Sequence, residues 1–178
     1  MKEKILKATA KILSKKGLDG VSTRAVCSEV GITAPTLYHY FLNKDDLLSA
    51  VAEASFRKTQ NQKLVDLPDE PRAAISQIWD NYLHFAFSDP EYYSVVLTAL
   101  SRNEVHPVGK ACYEQTLELF QRAEQKELLN YPAQEAAFMY QSAAIGAASL
   151  SLLSESKESI RILSENLKNV MLEGLFRT

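Results

Sequence analysis

The chain has 178 residues, of which 46% are hydrophobic and 24% are charged, and its net charge at pH 7 is −2. This composition supports a folded core and excludes an intrinsically disordered chain. Cys27 and Cys112 lie far apart and have no further cysteine or histidine at metal-ligand spacing. This pattern favours two reduced thiols over a disulfide framework or a zinc site. We therefore expect no metal site and no cofactor.

The beginning of the chain and its longest apolar stretch bear on cellular location. Met1–Lys16 is charged throughout and has no apolar core of the kind found in signal peptides. The stretch Ala143–Leu153 is far shorter than the roughly 20 residues that a membrane-spanning helix needs. We expect a cytoplasmic protein with no membrane partner.

The charges are unevenly distributed along the chain. Residues 1–50 hold eight cations and five anions, a net charge of +3, whereas the rest of the chain has a net charge of −5. A basic N-terminal segment on an acidic body is expected when one end of a protein approaches phosphate. A charge of +3 is weak evidence alone, because many solvated helices carry as much.

The first two helices follow from apolar spacing and end signals. Apolar residues at helical spacing predict a first helix over about Lys2–Lys16, and Gly17 suits its C-terminal cap because glycine adopts a left-handed backbone without strain. Ser22 or Thr23 then caps a second helix that runs to about Val30.

A third, short helix follows the turn at Gly31. Thr33 is a good N-cap, and Pro35 falls in the first helical turn, where a missing N–H costs nothing. We expect this helix to end near Tyr40 or Phe41.

A fourth helix and an all-helical body complete the predicted fold. Asn43 caps the fourth helix, which carries Asp45 and Asp46 in its first turn and runs to about Leu64. Further helices are predicted over about residues 72–87, 91–101, 108–128, 133–153 and 157–175. The predicted fold is therefore all-α, with about nine helices: a three-helix head over residues 1–46, a connecting helix over 44–64, and a larger helical bundle over 65–178.

The segment Ser22–Leu48 carries the functional signal. Two short helices flank the turn at Gly31, and this is the pattern of a helix-turn-helix motif, whose second helix lies in the major groove of DNA. Thr33 and Thr36 offer hydroxyl groups to phosphates or base edges, and the cluster Tyr38, His39 and Tyr40 offers polar tips to phosphates.

Two cations flank the predicted reading helix. Arg24 and Lys44 can each bind a backbone phosphate from opposite sides. The alternatives stay open at this point: the aromatic cluster can be ordinary helix surface with one ring buried, and Arg24 can form a salt bridge with Glu29.

The run Gly31–Phe41 (GITAPTLYHYF), followed by Asn43–Leu48 (NKDDLL), strongly resembles the tetracycline-repressor (TetR) family over about residues 3–50. The resemblance implies a DNA-binding head, a connecting helix and a helical body for ligand binding and dimerisation. It implies phosphate contacts for Arg24, His39, Tyr40 and Lys44. It implies a groove-facing set of Ala34, Pro35, Thr36 and Tyr38. Leu37 and Phe41 would be the buried residues that hold the third helix.

One position departs from some members of that family. Ala34 is apolar where some members carry a long polar side chain that reads bases. Direct readout then depends on thymine methyl contacts with Ala34, Pro35 and Thr36, and on DNA shape.

The body holds most of the aromatic residues, and these can line an effector cavity or form the core. Few charges lie among them, which favours a small, largely apolar or aromatic effector. The candidate lining residues are Trp79, Tyr82, Tyr93, Tyr113 and Tyr140. His84 and His106 are expected at the surface or at helix caps.

The last two helices carry a candidate dimer surface. Apolar residues at 3-4-3 spacing and small residues in the preceding helix suggest a four-helix interface about a two-fold axis, with packing inside one chain as the alternative. The candidate interface residues are Ala144, Ala147, Ala148, Ile160, Leu163, Leu167 and Val170.

These features predict a homodimeric, sequence-specific transcription regulator that binds operator double-stranded DNA. We expect two reading helices in successive major grooves, roughly 34–36 Å apart. An effector that prefers the DNA-incompetent state would shift the connecting helix and release the operator, so that the protein acts as a repressor. The alternatives are a DNA-binding dimer with no small-molecule effector, constitutive or regulated by a protein, and, less favoured, a helical enzyme, for which no nucleophile–base pair or carboxylate pair stands out.

Overall fold

A computed structural model describes residues 1–63, 67–101, 107–152 and 156–177. Within these ranges the chain forms helices only, apart from one isolated bridge between Leu129 and Phe176. The helices are α1 (Lys2–Gly20), α2 (Thr23–Val30), α3 (Ala34–Tyr40), α4 (Lys44–Lys63), α5 (Pro71–Ser88), α6 (Pro90–Ser101), α7 (Pro107–Gln125), α8 (Ala133–Leu150) and α9 (Lys157–Leu175). The predicted all-α fold with nine helices is confirmed for this part of the chain.

The end signals of the head act as the sequence predicted. Ser22 Oγ accepts a hydrogen bond from Ala25 N at 3.2 Å and caps α2. Gly17 and Gly31 have φ angles of 64° and 75°, a region that glycine enters without strain. At Gly17 the helix axis breaks, and a short extra turn extends α1 to Gly20, beyond the predicted end at Lys16.

Two predicted helix ends in the body are too late. The sequence extended the seventh helix to residue 128, but α7 ends at Gln125, because Glu127 has a φ of 55° and Leu128 N donates back to Ala123 O. The eighth helix was extended to residue 153, whereas α8 ends at Leu150. Three points of the prediction lie outside what the structure describes: the end of the fourth helix at Leu64, the role of His106 and the side chain of Cys112.

The helices group into two compact units. The first contains Met1–Lys58 and Asp89–His106, and in it α6 packs on α1. Its core includes Ile5, Val26, Leu37, Phe41 and Tyr93. The sequence did not indicate that α6 belongs with the head. The predicted division of functions between residues 1–46 and 65–178 stays a prediction.

The second unit contains Thr59–Ser88 and Pro107–Thr178. Here α5, α7, α8 and α9 pack together around a core that includes Ile75, Trp79, Phe85, Phe120 and Ala136. No helix in the described ranges is both long and apolar enough to span a bilayer.

Candidate nucleic-acid interface

Helix α3 is held in the head by two apolar side chains. Leu37 is only 3% exposed, and Phe41, which follows the helix, is equally buried. Both positions confirm the prediction. Because a seven-residue helix can bury only one stripe, the opposite side remains at the surface: Tyr38 is 51% exposed, and His39 and Tyr40 are also exposed. The cluster is therefore surface, and none of its three rings is buried.

Two pairs of hydroxyl groups lie on this surface. Thr33 Oγ1 and Thr36 Oγ1 are 3.0 Å apart, so Thr33 stands at the N-cap position but bonds the Thr36 side chain. Tyr38 OH lies 3.1 Å from Thr23 Oγ1, at the start of α2. From its sequence position Thr23 is only a candidate helix cap, because a contact between residues 15 positions apart leaves no local signal.

The start of α4 is tied to the rest of the head. Asn43 Oδ1 accepts from Asp46 N at 2.8 Å, which confirms the predicted cap, and Asp46 Oδ2 accepts from Leu42 N at 2.8 Å. Lys44 Nζ donates to Leu18 O at 3.1 Å. An ammonium group has three donors, so the exposed Lys44 keeps two more for a phosphate.

Arg24 is exposed on the first turn of α2. Its alternative partner, Glu29, pairs with Lys11 instead, at a distance of 2.6 Å between Oε1 and Nζ. The hydrogen bond and the charge of Lys11 lower the pKa of the Glu29 carboxyl group. This exposed ion pair links α1 to α2.

The structure brings several predicted contacts together. Tyr38 and Lys44 line one small cleft with Thr23, between α2, α3 and the start of α4. Pro35, Thr33 and His39 are exposed, and Ala34 and Thr36 are half-buried on α3. The arrangement presents hydroxyl, ammonium, imidazole and methyl groups on one short helix and its flanks.

The predicted effector residues are divided between the two units. Tyr93 lies on α6 in the first unit, whereas Trp79, Tyr82, Tyr113 and Tyr140 lie in the second. Trp79 and Tyr140 are core residues whose ring centroids are 5.5 Å apart, and Tyr140 OH donates to Ile75 O at 2.7 Å. Burial raises the pKa of the Tyr140 phenol well above its ordinary value.

A groove of about 700 Å³ lies between α5 and α9. Trp79 is the one predicted effector residue in its described lining, and Trp79 Nε1 is buried with no hydrogen-bond partner among the described residues. The groove is lined by Trp79, Asp80, Asn81, Leu83, His84, Phe87, Glu158, Arg161, Ser164 and Glu165. The exposed His84 fits its predicted place at the surface.

A buried cation that no local sequence pattern indicates lies beside this groove. Lys168 is 5% exposed, and its Nζ lies 2.7 Å from Asp80 Oδ1 and 2.8 Å from Glu165 Oε1. Burial alone would lower the pKa of Lys168, but the hydrogen bonds to the two carboxylates raise it overall. The triad joins α9 to α5.

The predicted dimer residues divide by burial. Ala144, Ala147 and Ala148 already pack inside the second unit, because the small face of α8 lies against the chain's own helices. Leu163 and Val170 are 61% and 63% exposed on α9, and Ile160 and Leu167 are half-buried. The exposed apolar surface also includes Phe138, Leu150 and Ile162, which the sequence analysis did not select.

Comparison with known proteins agrees with the geometry of the head. Residues 5–51 match the family of bacterial regulatory proteins called the tetR family. The chain is 32% identical over 69 residues to the tetracycline repressor protein class A from transposon 1721 of Escherichia coli, covering 39% of this chain and 32% of that protein. It is 28% identical over 111 residues to the transcriptional repressor NicS of Pseudomonas putida, covering 59% of this chain and 50% of that protein. The matched part thus spans between a third and a half of the length of these curated relatives.

The whole chain has the fold of solved regulators. A crystal structure of a transcriptional regulator from Saccharomonospora viridis in complex with choline superposes with a TM-score of 0.81, at 14% identity, over 99% of this chain and 98% of that one. At 14% identity this similarity shows the fold alone. Together, the helix-turn-helix geometry and the match over residues 5–51 show that the head of the chain is similar to the tetR family of bacterial regulatory proteins, and the chain as a whole has the fold of solved regulators.

Proposed function

We propose that the protein is a homodimeric, sequence-specific DNA-binding regulator that represses transcription until a small effector releases it from the operator. The observation that carries this proposal is the exposed surface of α3, with Tyr38 and Lys44 on one cleft. The contacts proposed with DNA are Arg24, Thr33, Ala34, Pro35, Thr36, Tyr38, His39, Tyr40 and Lys44. The cations and hydroxyl groups position the protein on phosphates, and the side of α3 between them meets the bases.

The DNA contacts are tested by mobility-shift titration of selected operator fragments at fixed salt. Tyr40→Ala and Lys44→Ala should each weaken binding, because each removes a proposed phosphate contact. Lys126→Ala is the matched control, since Lys126 is an exposed cation in the other unit. Wild-type affinity in both head variants would refute the assigned contacts.

Salt dependence provides a second test of phosphate binding. Affinity for the operator should fall steeply as salt rises, because each neutralised phosphate releases counterions. Lys44→Ala should flatten the slope of log K against log salt by about one unit. An unchanged slope would mean that Lys44 serves only its bond to Leu18 O.

The exposed apolar side chains of α8 and α9 support a two-fold dimer. Scattered apolar surface is normal in a monomer, but Phe138, Leu163 and Val170 all lie on two adjacent packed helices. Leu163→Asp should convert the dimer to a monomer in light scattering and weaken operator binding. Glu173→Gln, at an exposed polar position of α9, is the control. A wild-type protein that is monomeric and binds the operator would refute the dimer.

The groove between α5 and α9 supports the effector part of the proposal. Three of its ten described lining residues, Trp79, Leu83 and Phe87, are apolar and suit the aromatic or apolar part of a small molecule, and the other seven are polar or charged and can orient it. The solved regulator from Saccharomonospora viridis holds choline on a similar fold. Trp79 is the only tryptophan in the chain, so its fluorescence reports occupancy of the groove.

We expect compounds that saturably change the Trp79 emission to release the operator as well. Asn81→Phe would narrow the groove and should abolish both effects while leaving operator binding intact and Trp79 the only tryptophan. Release without any change at Trp79 would place the effector elsewhere. If no small molecule releases the operator, the protein is a DNA-binding dimer without such an effector.

A further inference from the structure

The groove between α5 and α9 has a buried floor and a charged rim. Its volume of about 700 Å³ falls in the range of roughly 300–1,000 Å³ that small-molecule sites occupy. Among its lining residues, Trp79, Leu83 and Ser164 are only 1%, 6% and 5% exposed and form the floor. The exposed lining residues form the rim, and most of them are charged.

The charges at the rim are mostly negative. Asp80, Glu158 and Glu165 carry carboxylates, and Arg161 is the only exposed cation among the described lining residues. Glu158 Oε2 lies 3.7 Å from Arg161 Nε, so this cation already has one carboxylate beside it. An anionic ligand would have Arg161 alone to bind and would be repelled by the other two carboxylates.

Lys168 does not cancel this excess of negative charge for a ligand. Its side chain is only 6% exposed, and Nζ lies 2.7 Å from Asp80 Oδ1 and 2.8 Å from Glu165 Oε1. One ammonium group therefore serves two carboxylates, whose side chains stay 53% and 55% exposed. One negative charge is left uncompensated, and both carboxylates can accept a further hydrogen bond from a ligand.

The floor contains a buried donor that lacks an acceptor. Trp79 Nε1 is buried and has no hydrogen-bond partner among the described residues. A buried N–H group without a partner costs free energy, and an acceptor atom of a ligand recovers that cost. This donor points to a ligand independently of the charges at the rim.

We propose that the groove binds an organic cation, whose ammonium group pairs with Asp80 and Glu165 at the rim and whose apolar part lies on the floor, with an acceptor atom for Trp79 Nε1. The inference rests on the proposed function, because it takes the groove as the effector site, and it names the charge of the effector. A neutral compound leaves the carboxylates unpaired, and a carboxylate is repelled by them.

The test compares compounds that share one apolar body and differ in one charged or polar group. Phenethylamine, 2-phenylethanol and 3-phenylpropionate form one such set, and their cyclohexyl and naphthyl counterparts extend it to other sizes. Calorimetry at low salt measures each Kd. We expect each amine to bind about fivefold more tightly than the matched alcohol, and the carboxylate to bind most weakly. The preference should shrink as salt rises, because salt screens exposed charges.

Two variants at the rim should change the affinity for amines in opposite directions. Glu158→Gln removes a carboxylate outside the Lys168 triad and should weaken the binding of amines by up to about fivefold. Arg161→Gln removes the exposed cation and should strengthen it. A merely structural disturbance would move both variants in the same direction. Glu173→Gln, an exposed carboxylate of α9 outside the described lining, is the matched control.

The acceptor atom has a spectroscopic test. Trp79 is the only tryptophan, so the ultraviolet resonance Raman band of the indole N–H group reports on Nε1 alone. Tyramine has the body of phenethylamine with an added hydroxyl group, so it should shift this band, whereas phenethylamine should not. If no amine that carries an acceptor shifts the band, the acceptor part of the proposal is refuted.

The outcomes separate the inference from the function on which it rests. Equal affinity within every set, tightest binding by the carboxylates, or no binding by any amine would refute the cation site. If amines bind as expected but release no operator, the cation site stands and the effector part of the proposed function fails. If a compound releases the operator equally from the wild type and from Asn81→Phe, the effector function stands and this inference fails.

Discussion

Aromatic residues behave in opposite ways on the short helix α3 of the first unit and on the long helices of the second. In the first unit, Tyr38 and Tyr40 lie at the surface of a seven-residue helix that buries only Leu37. In the second unit, Trp79 and Tyr140 lie in the core, on helices of 18 residues each. A short helix has no second apolar stripe to bury, whereas a long helix among several neighbours buries much of its circumference.

An aromatic cluster therefore indicates function in one setting and not in the other. On α3, the short length of the helix limits how many side chains can be buried. An aromatic cluster there, next to the turn of a helix-turn-helix motif, therefore indicates a contact surface. In the body, aromatic residues first fill the core, as the ring contact between Phe120 and Tyr140 illustrates. An aromatic count there predicts stability more directly than it predicts a ligand pocket.

The strongest prediction is that the buried aromatic residues of the second unit stabilise the fold and that the exposed ones of α3 do not. Tyr140→Ala should lower the free energy of unfolding by about 3–5 kcal/mol, because it leaves a cavity beside Trp79 and Phe120. Tyr38→Ala should leave stability nearly unchanged and weaken operator binding. Urea denaturation, monitored by Trp79 fluorescence, measures the free energy of unfolding of both variants, and mobility-shift titration measures their operator affinity. Equal stability losses in the two variants would contradict the comparison.

A second prediction extends the comparison to charged residues. Lys168→Met should lower the free energy of unfolding by about 2 kcal/mol, because Asp80 and Glu165 lose the buried cation between them. Lys11→Met is the counterpart in the head and should cost less, since the Lys11–Glu29 pair is exposed and solvent-screened. Urea denaturation of both variants decides the order, and a larger loss for Lys11→Met would overturn it.

A third prediction concerns the cap that positions the head. Ser22→Ala should destabilise α2 by about 1 kcal/mol, because Ala25 N loses its side-chain acceptor. Operator binding should weaken too, since α2 carries Thr23 beside Tyr38. Ser28→Ala, at an exposed position of the same helix, is the control. Hydrogen exchange of the α2 amides measures the local effect, and unchanged exchange in Ser22→Ala would rule it out.

The smallest expected effect is a pH dependence in the first unit. Burial, assisted by the charges of Glu3, Asp89 and Glu91, raises the pKa of Tyr92 to about 12. The folded state then keeps this proton where the unfolded state loses it, so stability falls as pH rises from about 10 to about 12. Tyr92→Phe lacks this loss, and the difference should stay below about 1 kcal/mol at pH 10.5. Denaturation at pH 8 and pH 10.5 measures it, and parallel declines for both proteins would count against the assignment.

Much of the head could be predicted from the sequence because its signals are local. The Ser22 cap, the left-handed Gly31 and the Asn43 cap each act within about one helical turn, and the buried pair Leu37 and Phe41 follows from a spacing of four residues. The helix ends of the body were less accurate where tertiary contacts decided them. The bridge between Leu129 and Phe176, for example, follows a turn that ends α7 early.

The helical class, the order of the helices and the residues that α3 buries could be predicted from the sequence, because spacing and caps operate over a few positions. Only the tertiary structure decided that α6 packs with the head, that the α8 alanines face inward and that Lys168 is buried. Those outcomes depend on partners far apart in the chain: Lys168 and Asp80 are separated by 88 positions, and no local pattern records which distant residue will complete a buried charge.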